Sequence, residues 1–264
     1  MIYKLKKLFK LFFIICLFFH LNLATSSLYC SMDLVYDLKT AKVMGIGGSN
    51  ISSVSGSDSV FYNWALPGDY LEWKFEQASI LEDSYFIGSI QRPLNISRLR
   101  FGFLYQSSSD LNETQLNSFN QPILTGSTFN HQMVTLFSSM NQKIFNSYIG
   151  LRHTFFYESI KSEYAIANQF DMSLRTQFNL FKKEIYYGAS VKNIFKSSLK
   201  WSTNVSDKTP RIFATGLSSS FFEKRLNLST DSIFSFQDGY NQTNFGMEYY
   251  IFGNADSKPF MAVR

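Results

Sequence analysis

The chain has 264 residues, of which 45% are hydrophobic, 17% are aromatic and only 17% are charged. The low charged fraction excludes a disordered chain or a long coiled coil, and the 5 prolines exclude a collagen-like or proline-rich protein. The net charge is +5, but four lysines stand within the first ten residues, and without them the balance falls to about +1. No basic face remains for nucleic acid, which is therefore not an expected partner.

The first 26 residues have the parts of a secretory signal peptide. A lysine-rich start precedes an apolar run over 11–19, and small residues follow it. The run is about half as long as a bilayer-spanning helix requires, so we predict cleavage after export, with an uncleaved anchor as the alternative. Cys16 would leave with the signal, so Cys30 would have no intramolecular disulfide partner; lipid attachment at Cys30 is a further alternative.

Short segments of alternating polarity recur along the rest of the chain. In 97–107, for example, Leu99, Phe101 and Phe103 alternate with arginines and a glycine. A period of two gives a β-strand one apolar face and one polar face. We predict about eleven such strands, near 69–78, 83–92, 97–107, 129–139, 144–157, 169–180, 184–195, 210–221, 224–237, 243–252 and 259–264.

The predicted connections are short on one side and long on the other. Gln91-Arg92-Pro93 is a predicted tight turn, whereas 108–128 and 196–209 are predicted long polar links. This asymmetry is typical of outer-membrane barrels. A soluble β-sandwich is the alternative, but predicted strands of about 9–14 residues match the length that spans a bilayer. The sequence therefore predicts an all-β fold, an antiparallel transmembrane β-barrel over 69–264, with outer-membrane lipid as its surroundings.

Residues 27–68 lack the alternation and form a separate predicted segment. Its three glycines (Gly45, Gly47 and Gly48) would let the backbone pass close to another wall. A phosphate-binding loop would need a preceding strand, a following helix and a lysine, which this stretch does not offer. Asp58 is predicted to cap a short helix that begins there.

Several residues of this segment match a known N-terminal pattern, Ala-Arg-x-x-Gly-Met-Gly-Gly-Ala followed by Asp-x-x-Ala-x-x-x-Asn-Pro-Ala. Lys42 stands in place of its arginine, and Trp64 replaces its proline. The chain thereby resembles the PorV-like branch of the FadL-type outer-membrane family, the long-chain fatty-acid transporter superfamily. Further matches in Gly188–Ile194 and Gly246–Tyr249 extend the resemblance over 39–264. The matching positions of the N-terminal pattern are Ala41, Gly45, Gly47, Gly48, Asp58, Asn63 and Ala65.

The resemblance implies that 27–68 is a hatch inside a barrel of the bacterial outer membrane. It also implies passage of hydrophobic or amphipathic small molecules, such as long-chain fatty acids, without a cofactor. The alternative function known in PorV-like relatives is that of a component or shuttle of a protein-secretion system. Relatives continue beyond the strand that corresponds to Phe260–Arg264, whereas an open set of about eleven strands would leave edges in lipid. The resemblance therefore predicts a truncated or split gene product, with an unusually small closure as the alternative.

Charged residues on the predicted polar faces are the candidate site residues. They either pair with each other and hydrate the interior, or hold the hatch and meet the head group of an amphipathic ligand, for which arginine suits a carboxylate. The two histidines of the exported chain, His131 and His153, have no predicted carboxylate or cysteine companions, and no nucleophile motif is present, so neither a metal site nor an enzyme is expected. The predicted lumen cations are Arg98, Arg100, Arg152, Arg175 and Lys192, and the predicted lumen acids are Asp171, Asp231 and Glu248.

Overall fold

The computed structural model describes residues 48–53, 57–68, 70–80, 83–180, 183–236, 241–252 and 261–263. The predicted signal peptide (1–26), Cys30 and the hatch positions Ala41, Gly45 and Gly47 lie outside the described residues.

The described chain is built almost entirely of β-strands. One 3-10 turn, Ser57–Val60, precedes them. No helical stretch in the described ranges has the length and hydropathy needed to traverse a bilayer. The strands are β1 (Glu72–Ile80), β2 (Asp83–Leu94), β3 (Ser97–Leu116), β4 (Pro122–Ile144), β5 (Ser147–Ile160), β6 (Glu163–Leu180), β7 (Lys183–Lys192), β8 (Ser198–Trp201), β9 (Ser206–Lys208), β10 (Ile212–Phe221), β11 (Leu226–Ser235), β12 (Asn241–Phe252) and β13 (Met261–Val263).

Neighbouring strands pair antiparallel in one sheet. The hydrogen-bonded path runs from β1 to β7 in sequence order and continues through β10, β11 and β12 to β13. The remaining two strands, β8 and β9, form a hairpin that pairs with β6. The path contains 11 strands, which agrees with the number that the alternation predicted.

Two of the predicted connections are wrong. The supposed link over 108–128 is mostly strand, because β3 continues to Leu116 and β4 starts at Pro122, leaving a turn of residues 117–121. These extensions pair with each other through backbone hydrogen bonds, with register shifts, and their polar side chains carry no clear alternation. The supposed turn at Gln91-Arg92-Pro93 belongs to β2, where Gln91 is buried and accepts a hydrogen bond from Arg100 on β3.

The two faces of the sheet have opposite polarity. Outward-facing Phe170 and Met172 are 49% and 47% exposed, whereas Asp171 between them is 1% exposed. The same contrast separates Phe101, which is 55% exposed, from its fully buried neighbour Arg100. A soluble sandwich buries its apolar face, whereas a transmembrane barrel turns that face to lipid and keeps polar side chains inside. The predicted antiparallel transmembrane β-barrel is confirmed.

The barrel interior is occupied by a part of the chain that precedes the strands. We call residues 48–53 and 57–68 the inner segment. Its Asp58 accepts a hydrogen bond from Lys74 of β1 at 2.7 Å, and its Gly48 carbonyl accepts one from Asn244 of β12 at 3.3 Å. Because strands from opposite ends of the path contact one short segment, the sheet must curve around it. The short helix predicted to begin at Asp58 is a 3-10 turn that starts one residue earlier, at Ser57, so Asp58 lies inside the turn and not at its cap position.

A buried apolar cluster fills the interior between the inner segment and the β8–β9 hairpin. Trp201 of the hairpin pairs with Ala165 of β6 and packs against the cluster. Residues 196–209, predicted as a long polar link, connect β7 to β10 and include a hairpin that covers this end of the barrel. We call the set the apolar cluster; its buried members are Val60, Ile87, Leu104, Met133, Phe137, Phe156, Ala165, Ala167 and Leu199.

Candidate functional site

Arg100 binds the inner segment from the wall of the barrel. Its guanidinium, which is fully buried, donates hydrogen bonds to the carbonyl oxygens of Trp64, at 3.0 Å, and Leu66. Asn141 of β4 donates to the same two carbonyls at 2.8 and 2.9 Å. Two neighbouring strands therefore satisfy backbone oxygens that would otherwise be buried without partners.

Arg152 joins the inner segment to a buried carboxylate. It donates to the carbonyl oxygens of Val60 and Phe61 at 2.8 and 3.0 Å, and its guanidinium lies 2.7 Å from Asp171. The guanidinium carbon also lies 4.1 Å from the centre of the Trp64 ring. Arg152 thus offsets the Asp171 charge and holds the inner segment at once, which combines the two roles that the sequence left open for the lumen charges.

Asp231 of β11 anchors the start of the inner segment. Its carboxylate accepts hydrogen bonds from the backbone N–H groups of Asn50 and Ile51, the latter at 2.7 Å. Asn63 then ties the segment to itself, because its amide donates to the carbonyl of Ile51 at 2.6 Å and its oxygen accepts from the N–H of Ala65 at 3.0 Å. The alternation placed Asp231 on the lumen face, but nothing in its spacing indicated the partners.

Asp231→Ala should loosen the inner segment without opening the sheet. Hydrogen bonds to a carboxylate contribute about 1.5–3 kcal/mol each, so removing two of them should raise the labelling rate of a cysteine at Ser52 by about tenfold or more. The measurement is maleimide labelling of Ser52→Cys in a Cys30→Ser background. Asp231→Asn, which keeps an acceptor oxygen, should have an intermediate effect, and Asp207→Ala in the exposed hairpin should have none. Equal labelling in all four proteins would show that Asp231 is not an anchor.

Two inward-facing glycines allow the inner segment to approach the wall. A Cβ atom on Gly188 would collide with the carbonyl of Ile51, and one on Gly150 would lie 2.9 Å from the backbone nitrogen of Ala65 and 2.7 Å from the Trp64 ring. Backbone atoms cannot move aside as the end of a side chain can. These positions therefore need the absence of a side chain.

The other predicted lumen cations occupy different surroundings. Arg98 donates to the carbonyl of Gly68 at 3.2 Å, and Lys192 is buried. Arg175 stands apart from these, because it lines a cavity of about 890 Å³ beside the inner segment. The sequence placed Arg175 on the lumen face, but the cavity depends on where the inner segment lies.

The histidines do not assemble a metal site in the described part of the chain. The prediction that they lack carboxylate companions is wrong for His131, whose Nε2 lies 3.0 Å from Oε1 of Glu158. His153 contacts Asn168 at 3.0 Å. Within the described ranges, no group of three or more His, Cys, Asp or Glu residues is arranged to hold a metal ion.

Comparisons with known proteins find similarity only at the level of structure. No family model and no curated protein matches the chain. One similar structure is OmpTdeltaL8, a loop L8 deletion mutant of OmpT, an outer membrane protein of Vibrio cholerae, with a TM-score of 0.47 and 8% identity over 69% of this chain and 60% of that chain. Another is in-vitro folded OmpT, an outer membrane protein of Vibrio cholerae in its trimer form, with a TM-score of 0.41 and 9% identity over 84% of this chain and 73% of that chain. The chain thus spans less than two thirds of the first of these proteins, and no activity is carried over from either.

Proposed function

We propose that the protein is a barrel of the bacterial outer membrane through which hydrophobic or amphipathic small molecules pass, long-chain fatty acids being one such class. The observation that carries this proposal is the division of the interior. On one side of the inner segment lies the apolar cluster, which includes Val60, and on the other lies the polar cavity, whose wall includes Ser52 and Arg175. An amphipathic molecule has parts that suit both compartments.

The way in which the inner segment is held suits a movable barrier. Its contacts to the wall are made by side chains such as Arg100, Asn141 and Asp231, whereas the strands pair with each other through their own backbones. Displacing the segment therefore leaves the hydrogen bonds of the sheet intact. Passage down a concentration gradient needs no cofactor.

The two ends of the barrel differ in a way that supports an orientation. The extensions of β3 and β4 and the β8–β9 hairpin lie at one end, whereas the turns at 95–96, 145–146 and 222–225 lie at the other. Outer-membrane barrels carry their longer loops outside and their short turns in the periplasm. A solute would then meet the hairpin and the apolar cluster first, and the cavity last.

The resemblance to the PorV-like branch of the FadL-type family supports the same function. Among the matching positions, Asp58 and Asn63 contact the barrel wall or other parts of the inner segment. The resemblance also supports a second candidate function, that of a component or shuttle in protein secretion. One experiment distinguishes the two functions.

Deleting the gene should reduce the uptake of radiolabelled oleate several-fold and leave the secretion of surface proteins unchanged. Uptake by whole cells and the secreted proteins are measured in the same cultures, with the wild-type gene restored as the control. Unchanged uptake with lost secretion would contradict the transport proposal and favour the secretion function. Release of the protein by a salt wash, without detergent, would contradict the membrane location itself.

Gly188→Val should displace the inner segment and raise the conductance of the barrel in planar lipid bilayers several-fold. Overpacking costs about 1–3 kcal/mol, and here the added atoms meet backbone. Gly88→Val is the matched control, since the three atoms nearest to a Cβ atom at Gly88 all belong to the side chain of Phe103 and none to the backbone. Its conductance should equal that of the wild type; equal conductance of all three proteins would refute the barrier role.

A further inference from the structure

We infer that the polar cavity at the short-turn end of the barrel is a binding site for the anionic head group of an amphipathic molecule, with Arg175 as its principal counter-ion. The inference rests on the proposed function, which it deepens by naming the charge of the solute and the place where that charge is held.

The position of the cavity suits a solute that has just passed the inner segment on its way through the barrel. Its inner wall contains Ser52 and Gly68 of that segment, and most of the remaining wall comes from the ends of three strand pairs, at 143–148, at 175–179 with Tyr186, and at 218–227. At about 890 Å³ it has the size of a small-molecule site. A head group in this cavity would lie directly beside the inner segment, and its apolar chain would have to extend past the segment toward the apolar cluster.

The charge of the cavity is one-sided. Arg175, Lys143 and Lys224 contribute to its lining, and no carboxylate belongs to the lining among the residues that the structure describes. Glu184 stands next to it, 3.9 Å from Lys224, and accepts a hydrogen bond from the Tyr186 hydroxyl at 2.9 Å. A second acid, Glu248, lies opposite the lining residue Asn227 on the neighbouring strand and accepts a hydrogen bond from the Tyr250 hydroxyl. Among the described residues, two acids beside three lining cations still leave a positive surplus, which attracts anions into a site walled by protein.

Arg175 differs from the arginines that hold the inner segment. Arg100 and Arg152 donate to backbone carbonyls, whereas the guanidinium of Arg175 lies 4.2 Å from the centre of the Tyr186 ring. Its Nε is buried and has no hydrogen-bond partner among the described residues. A buried donor without a partner is unfavourable by about 1–3 kcal/mol, and an anionic ligand can supply the missing acceptor.

Hydroxyl and amide groups complete a polar lining. Ser218, Gln177 and Asn227 lie in the wall together with Tyr148. The Ser218 hydroxyl already donates to the carbonyl of Ser52 at 3.2 Å. The amides of Gln177 and Asn227 and the Tyr148 hydroxyl can donate to the oxygens of an anion or to the water around it. A neutral alcohol would use the same groups but would leave the positive surplus unbalanced, so the cavity should discriminate by charge.

The test uses the full chain in nanodiscs of phosphatidylcholine, with a photoreactive dodecanoate that carries a diazirine beside the carboxylate. Its matched control probe is the corresponding dodecanol. After irradiation, the labelled peptides are identified by mass spectrometry. We expect the dodecanoate to label 143–148, 175–186 and 218–227, with at least about tenfold less labelling by the dodecanol, because charge-assisted hydrogen bonds are stronger than neutral ones.

Arg175→Gln should reduce the labelling of these peptides by the dodecanoate about tenfold. Arg175→Lys should lie between the two, since it keeps the charge and loses the planar fork. Lys161→Gln is the control, because Lys161 is an exposed cation paired with Glu113 away from the cavity. Heat-modifiable gel migration verifies that each variant is folded, and if Arg175→Gln is not, Arg175→Lys and Lys143→Gln carry the test.

Equal labelling by the two probes, or unchanged labelling in a folded Arg175→Gln protein, would overturn the inference. Failure of the proposed function has a different signature, since oleate uptake would then be independent of the gene whatever the cavity binds. Normal gene-dependent uptake combined with equal labelling by both probes would reject only the head-group site.

Discussion

Arg152→Met should lower the free energy of unfolding of the barrel by about 3–5 kcal/mol, which is the usual loss when one member of a buried ion pair is removed. Arg152 and Asp171 have side chains that are 1% and 0% exposed. The variant would leave Asp171 as a buried charge without its counter-ion and would leave the carbonyls of Val60 and Phe61 without their donor. Urea titration of the protein in lipid vesicles, followed by tryptophan fluorescence, measures the change.

The matched control for this prediction is the double variant Arg152→Met with Asp171→Leu. Removing both charges avoids the unpaired carboxylate, so the double variant should recover much of the lost stability. Lys161→Met, which breaks an exposed ion pair, should change the free energy by no more than about 1 kcal/mol. A single variant as stable as the wild type would show that the pair does not bear on the stability of the interior.

Phe170→Arg should make folding into lipid vesicles less favourable by about 2–4 kcal/mol, which is the cost of a cation on the lipid face near the middle of a bilayer. Phe170 lies near the centre of β6 and points outward, where its ring is 49% exposed. A soluble protein would tolerate a charge at so exposed a position. Folding yields in vesicles over a urea series measure the effect.

Phe119→Arg is the control for the lipid-facing variant. Phe119 is 82% exposed but belongs to the turn at 117–121, beyond the bilayer in the proposed orientation. Its replacement should change the folding free energy by less than about 0.5 kcal/mol. Equal costs at the two positions would contradict the placement of the outer face in lipid.

The strands and their faces could be predicted because the signal is local. Arg100 beside Phe101, and Asp171 between Phe170 and Met172, show the period of two within a few residues. The extensions of β3 and β4 escaped prediction for the opposite reason. They extend past the apolar stretch, and their stability comes from pairing with each other, a contact that alternation does not report.

The candidate site could be predicted only in part. The lumen-facing position of Arg100, Arg152 and Arg175 follows from register, but their different partners do not. Arg100 and Arg152 bind carbonyls of the inner segment, while Arg175 faces a cavity. The roles of Ala41, Gly45 and Gly47 in a hatch stay a prediction.

By itself, the sequence determined an all-β chain whose strands each have one apolar and one polar face, since side chains of neighbouring residues in a strand must point to opposite sides. Only the tertiary structure decided which groups the side chains of the polar faces contact. Asp231 receives the N–H of Asn50 from 181 positions away, a contact that exists only because the sheet curves until its distant strands surround the same short segment. Local sterics set the first property, whereas the curvature of the whole sheet sets the second.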